Sequence, residues 1–189
     1  MIRDPRDGLF HLHVFSHATD RAPAEIVDGL RHLEGRHVRF ASQYVGSFQV
    51  YVHLAVDSVA EAMRAGNILW PAGVRTETSS EVKVSRINGP KRASPRYSAL
   101  VRIRPAVDPF HLLDQLDDAF ESRVDPETYW YGAAVVTGRG YDLLVDLGRP
   151  TEDELLAAVL EDLRGVDGIR RTDTSWADLG VNAFRNEAS

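Results

Sequence analysis

Three histidines fall where strands would aim them at one point. His11 and His13 are two residues apart in Leu9-Phe10-His11-Leu12-His13-Val14-Phe15. A period of two puts both imidazoles on one face of a strand, with Phe10, Leu12 and Val14 on the other. His53 sits in a second stretch, residues 48–57, expected on the neighbouring strand with the same facing. Imidazoles converging on a cavity suit zinc, copper or haem iron. The same spacing also describes a polar sheet interface lined with neutral, hydrogen-bonded histidines, and no carboxylate or second His-x-His pair joins them. The hydrogen-bonded lining is the reading taken, with a metal site at His11, His13 and His53 as the alternative. No cofactor and no catalytic residue is expected. His17, His32, His37 and His111 read as scattered surface or loop residues. Gly-x-Ser-x-Gly, glycine-rich phosphate loops and His-Glu-x-x-His are absent.

The elements that would carry these residues occur twice. Gly46, Ser58-Val59-Ala60-Glu61 and Thr76-Glu77-Thr78-Ser79 come back as Gly138, Thr151-Glu152-Asp153-Glu154 and Thr172-Asp173-Thr174-Ser175. The copies lie about 90 residues apart, a domain-sized period. In the first copy a strand over 9–15 precedes a helix begun by Pro23, with Ile26, Leu30 and Leu33 at helical spacing and an end near Gly35. Strands over 38–45 and 48–57 follow around Gly46-Ser47, with Phe48, Val50, Val52, Leu54 and Val56 on one face. Ser58 with Glu61 resembles a capping box, and Val74–Val84 is a last strand with polar alternation.

Residues 87–95, with two prolines and a glycine, form a linker. The second copy runs through Tyr97–Arg104, a stripe of Phe110, Leu113, Leu116 and Phe120, strands over 128–137 and 140–147, a capping box at Thr151 and Glu154, and Ile169–Leu179. The acidic start of that helix, Glu152 to Glu154, suits a helix N-terminus.

Two βαββαβ units are therefore expected, over 1–86 and 96–180, with residues 181–189 a tail. The fold class is α+β: two ferredoxin-like units packed as an intramolecular pseudo-dimer of the dimeric α/β-barrel type. The sheet face without helices should carry His11, His13, Gln49, Tyr51 and His53 in one unit and Arg102, Arg104, Asp142 and Asp146 in the other. Such charges imply either a wet cavity between the sheets or ion pairs across the interface.

Composition sets broad limits. The chain has 189 residues, 43% hydrophobic content, no cysteine, and 28 acidic against 22 basic side chains, for a net charge of −6. Disulfides and thiolate metal sites are excluded. The charged start Met1-Ile2-Arg3-Asp4 lacks an apolar signal core, so a cytoplasmic protein is expected. The acidic balance argues against a phosphate-tracking surface and direct nucleic-acid binding.

Thr137, Gly138, Tyr141, Asp142, Leu143 and Leu144, followed by Gly168, Ile169, Thr172 and Thr174, resemble the effector-binding domain of the Lrp/AsnC (feast/famine) transcription regulators. Gly46, Phe48 and Gln49, with Val74, Thr76 and Thr78, look like a worn second copy. The hairpin here has one extra residue, Arg139-Gly140 standing in place of one, and no helix-turn-helix segment precedes residue 9. The resemblance implies a tandem, non-enzymatic sensing protein that binds a small effector, often an amino acid. It would act on transcription through homo-oligomers or assembly with related regulators. The implied ligand-binding residues are Gly138, Tyr141, Asp142, Thr172 and Thr174, with Gly46, Thr76 and Thr78 in the first copy. A glycine turn offers N–H groups to a carboxylate, an aspartate takes an ammonium, and threonine hydroxyls adapt. The alternative is a dimeric α/β-barrel enzyme, an oxygenase or a haem- or metal-dependent enzyme, working between the sheets near His13 and His53.

Overall fold

The computed structural model describes residues 3–4, 7–17, 22–25, 38–58, 60–61, 76–87, 95–121, 130–137, 140–179 and 183–185. The helix expected from Pro23 to near Gly35 is described only at 23–25, which are helical; the rest of it, most of the linker, and Gly138 lie outside the described residues.

The first half contributes β1 (Phe10–Ser16), β2 (Val38–Gln43), β3 (Val45–Gly46), β4 (Val50–Val56) and β5 (Thr76–Ile87). The second contributes β6 (Tyr97–Pro105), α1 (Pro109–Glu121), β7 (Trp130–Thr137), β8 (Leu143–Arg149), α2 (Glu152–Ala157) and β9 (Ile169–Asp178). α2 runs on as a π-helical segment, Ala158–Leu163. Both expected N-caps form: Ser58 Oγ accepts the Glu61 N–H at 3.2 Å, and Thr151 Oγ1 accepts that of Glu154 at 3.3 Å. The expected tail holds β10 (Ala183–Arg185), which pairs with β2.

Strand order explains the shape. The ladder runs β10-β2-β4-β1-β5-β7-β8-β6-β9-β3. Each half has the order of a βαββαβ unit, and the halves meet edge to edge. Ser80 pairs with Thr137 and Ile87 with Tyr131 along β5 and β7. Val45 pairs with Trp176 and Gly46 with Ser175 along β3 and β9. Only Tyr44 separates β2 from β3, so the ladder returns on itself and the two sheets close into a barrel. Closure removes the edges an open sheet would expose.

Period-two alternation then sorts side chains to the two faces. Outward go Leu12, Val14, Val52 and Leu54 in one half. In the other, Ala99, Val101 and Ile103 pack beneath Leu112, Leu116 and Phe120 of α1 and Leu155 of α2. Inward go Phe15, Tyr44, Tyr51, Leu100, Ala134 and Leu144, joined by Phe48. Phe48 was expected on the face of Val50. It lies before β4 begins and turns into the barrel instead, where its ring centroid is 5.0 Å from that of Phe15.

The inward charges pair both along one sheet, with Asp173 directly opposite Arg102 on β9, and across the barrel to Glu77 of the first half. Arg102, 6% exposed, donates to Glu77 Oε2 at 2.7 Å, to Asp173 Oδ2 at 2.6 Å and to Ser47 Oγ at 3.3 Å. Its guanidinium stands 5.2 Å from the Phe15 ring centroid and 4.6 Å from that of Tyr141. The expected neighbours Asp142 and Asp146 are not its partners, because register sets Arg102 opposite Leu144 and Asp146 opposite Leu100. Burial alone would raise the Asp173 carboxyl. Hydrogen bonds from Ser47, Arg102 and Tyr141, with the guanidinium charge, outweigh it and hold the group below its ordinary value.

The β3–β9 seam and the Arg102 cluster make three outcomes measurable. Gly46 has φ +143°, and a Cβ there would lie 2.7 Å from Ser175 Oγ and 2.8 Å from the Thr174 carbonyl. Gly46→Ala should therefore cost about 1–3 kcal/mol in urea unfolding, the range of a strained backbone residue; an unchanged midpoint would show the β3–β9 seam to be loose. Arg102→Met should cost about 2 kcal/mol, less than a fully buried pair, because Glu77 and Asp173 keep some water. Since Asp173 is depressed in the folded state, its contribution is present at neutral pH and lost as pH falls below about 4. The stability gap between wild type and Asp173→Asn should narrow on acidification through that range, and a gap constant down to pH 3 would contradict this.

Candidate functional site

β1, β4 and β5 lie side by side, and their register decides which side chains meet. His13 is opposite His53 on β4 and opposite Ser79 on β5. His11, His13, His53 and Glu81 therefore share the inner face near one end of the barrel. Phe15 and Tyr51 come next, and Arg102 lies beyond them.

The sequence-predicted histidines do converge, and they bring carboxylates with them. His11 Nδ1 and His53 Nε2 are 2.9 Å apart, one ring donating to the other. His13 Nε2 is 2.9 Å from Glu81 Oε1 and its Nδ1 is 2.7 Å from the Tyr51 hydroxyl. His53 Nε2 lies 3.9 Å from Glu81 Oε1. The other nitrogen of His11 faces the turn before β1, with Asp7 at 3.1 Å and Asp4 at 3.8 Å. His11 and His13 are buried, as is Glu81, 6% exposed. The expectation that no carboxylate joins the histidines is thus corrected by Glu81 and Asp7.

Electrostatics follow from that packing. Burial alone would raise the Glu81 carboxyl, but the His13 hydrogen bond and the neighbouring imidazoles more than offset it, so Glu81 is held far below the usual carboxylate range. Asp7 is also lowered: the cost of its burial is outweighed by the Leu9 N–H and by His11. A Tyr51 hydroxyl donating to His13 Nδ1 leaves His13 Nε2–H to donate to Glu81, which fixes one tautomer. Tyr51, His13 and Glu81 thus form a relay along which a proton can move.

His11 Nδ1, His53 Nε2 and a Glu81 oxygen all lie within 4.8 Å of one another. This donor set does not fit a haem. A porphyrin leaves its iron one position on each face, whereas these three atoms converge from one side.

The hairpin set is scattered by comparison. Tyr141 turns into the barrel, donating to Asp173 Oδ2 at 3.0 Å rather than packing under the helices. Asp142 is exposed, and its backbone N–H and carbonyl are used by Ile103 and Val136. Arg104 is exposed too, and its Nε–H donates to the Gly140 carbonyl. Thr172 and Thr174 pair with Ile103 and Val101, so they stand on the helix side of β9, opposite in facing to Asp173 and Ser175. Gly46 is spent on the β3–β9 seam, and Thr76 and Thr78 lie in β5 opposite Ser16 and Val14.

Glu81 was visible in the sequence as part of Glu77-Thr78-Ser79-Ser80-Glu81. Its importance appears only once β5 is placed beside β1. Asp7 had no signal, because a turn rather than a strand brings it to His11.

No protein-family model and no curated protein matches the sequence. The fold, however, is shared with solved structures. A chlorite dismutase from Candidatus Nitrospira defluvii, bound to imidazole, superposes with TM-score 0.56 at 11% identity, over 91% of this chain and 92% of that one. A candidate Dyp-type peroxidase from Shewanella oneidensis gives 0.54 at 10% identity over 90% and 92%. A candidate monooxygenase from Lactobacillus acidophilus gives 0.53 at 8% identity over 89% and 91%. These likenesses confirm the two-unit α/β-barrel fold. They overturn the resemblance to Lrp/AsnC regulators, and with it the non-enzymatic, amino-acid-sensing function in transcription. Among the described residues no helix is long and apolar enough to cross a membrane.

Proposed function

We propose that the chain is an oxidoreductase that oxidises a small aromatic substrate beside the histidine–glutamate cluster inside the barrel. The observation that carries this reading is the convergence of His11, His13, His53, Glu81 and Tyr51 on one inward face. A buried imidazole held between a hydroxyl and a carboxylate is the usual equipment of general acid–base chemistry, and ionisable groups rarely occupy a barrel interior for packing alone. The aromatic rings of Phe15, Tyr44, Phe48 and Tyr51 next to the cluster suit a planar apolar molecule. Solved proteins of this fold carry the names dismutase, peroxidase and monooxygenase, which supports a redox reaction with dioxygen or peroxide as oxidant. Fold likeness by itself does not assign chemistry, and the cluster is what ties the reading to this chain.

In this reading the Tyr51 hydroxyl takes the proton of the substrate hydroxyl as it passes its own to His13 Nδ1, and Glu81, bonded to His13 Nε2, stabilises the imidazolium so formed. Dioxygen and peroxide consumption, measured with a panel of phenols and quinols, tests it. Turnover is expected in the wild-type protein, and Glu81→Gln should lower it by about 100-fold or more, the usual loss of an acid–base partner. Full activity in Glu81→Gln, or no substrate-dependent consumption by any panel member, would overturn the proposal.

A further inference from the structure

We infer that His11 Nδ1, His53 Nε2 and a Glu81 carboxylate oxygen bind one divalent first-row transition-metal ion of the iron(II), cobalt(II) or zinc(II) class. Two nitrogens each about 2.1 Å from a common ion stand about 3.0–3.4 Å apart in octahedral or tetrahedral geometry. The observed separations, 2.9 Å between His11 and His53 and 3.9 Å between His53 and Glu81, bracket that range. Small side-chain rotations would centre an ion among them, and the ion would take the place of the proton now shared by the two rings.

The support behind each ligand is what a metal centre requires. A ligating histidine donates its other N–H to a carboxylate, and a ligating carboxylate is itself hydrogen-bonded. His11 has Asp7 on its far nitrogen at 3.1 Å, and Asp7 is fixed in turn by the Leu9 N–H at 3.0 Å. Glu81 has His13 on Oε1, and His13 has Tyr51. Asp4 and Asp7 also approach His11 Nε2. Arg39 lies 3.6 Å from Asp7, so that side already has its cation and serves to orient the ring.

The donor types narrow the ion. Two imidazoles exclude calcium and magnesium, which select oxygen. Two histidines and one carboxylate on one face leave coordination positions open, as in metal sites that react rather than merely brace a fold.

The inference stands apart from the reaction proposed above, because binding is read without turnover. Protein stripped with a chelator and dialysed is titrated with cobalt(II), followed by visible absorbance and calorimetry. One equivalent should bind with micromolar or tighter Kd. His53→Ala and Glu81→Gln should weaken binding 100-fold or more, and Asp7→Asn, a half-exposed support, about 10- to 100-fold. His111→Ala, on the exposed face of α1, should leave it unchanged. Circular dichroism establishes that each variant is folded, and Asp7→Asn decides the matter if the buried variants are not. Failure of the folded wild-type protein to take up cobalt, or unchanged affinity in the folded ligand and Asp7 variants, would overturn the site. Metal uptake without substrate oxidation leaves the site standing and removes the proposed reaction. Oxidation by stripped protein does the reverse.

Discussion

Edge-to-edge pairing of the two halves is the constraint on which the rest of the molecule depends. A single βαββαβ sheet has helices on one face and nothing on the other, so His13, Tyr51 and Glu81 would face water and pair loosely. The β5–β7 and β3–β9 ladders turn that bare face into an interior. Once water is excluded, each polar group must find a protein partner, and each pairing becomes stronger because the surroundings screen it less. The short distances around His13 and Glu81 are a consequence of closure.

The two polar groups inside the barrel divide the labour. Arg102 joins Glu77 and Ser47 of one half to Asp173 of the other, so it fixes how the halves face each other. The histidine cluster draws β1, β4 and β5 from the first half alone, with Asp7 reaching over from the turn before β1. Phe15 and Tyr51 stand between them, their ring centroids 5.5 Å apart, and the Arg102 guanidinium packs on Phe15. The clamp that sets the barrel is thereby in contact with the wall of the candidate site. Glu77 and Glu81, both on β5, tie the strand at the seam to the Arg102 cluster and the histidine cluster respectively.

Much of this was legible in the sequence. The period of two in Phe10–Phe15 gave β1 its correct facing, and the repeated glycine turn, cap and Thr-[Asp/Glu]-Thr-Ser strand gave both units and their pseudo-dimer. The same features misled on function. A glycine at a turn, a leucine-rich helix and an edge strand of threonines are what any such unit needs to fold, so the likeness to a sensing domain reported architecture and not chemistry. Strand neighbours across long sequence separations were the harder part. Glu81 reaches His13 across 68 residues, and Arg102 prefers Asp173 to Asp146 because of register that no local pattern encodes. The β10 strand was missed for the same reason, since three residues without periodicity acquire a partner only in the closed structure.

Native-state hydrogen exchange at the β5–β7 seam tests the central claim most directly, because it reports whether the barrel stays closed in solution. If closure creates the interior, the ladder amides between Ser80 and Ile87 and those of Gly132 to Val135 exchange only through global unfolding. Their opening free energy would then equal that of the β6–β8 ladder within the second half. Protection far below that ladder, with exchange insensitive to denaturant, would mean that the two halves part locally and that the histidine–glutamate cluster faces open water.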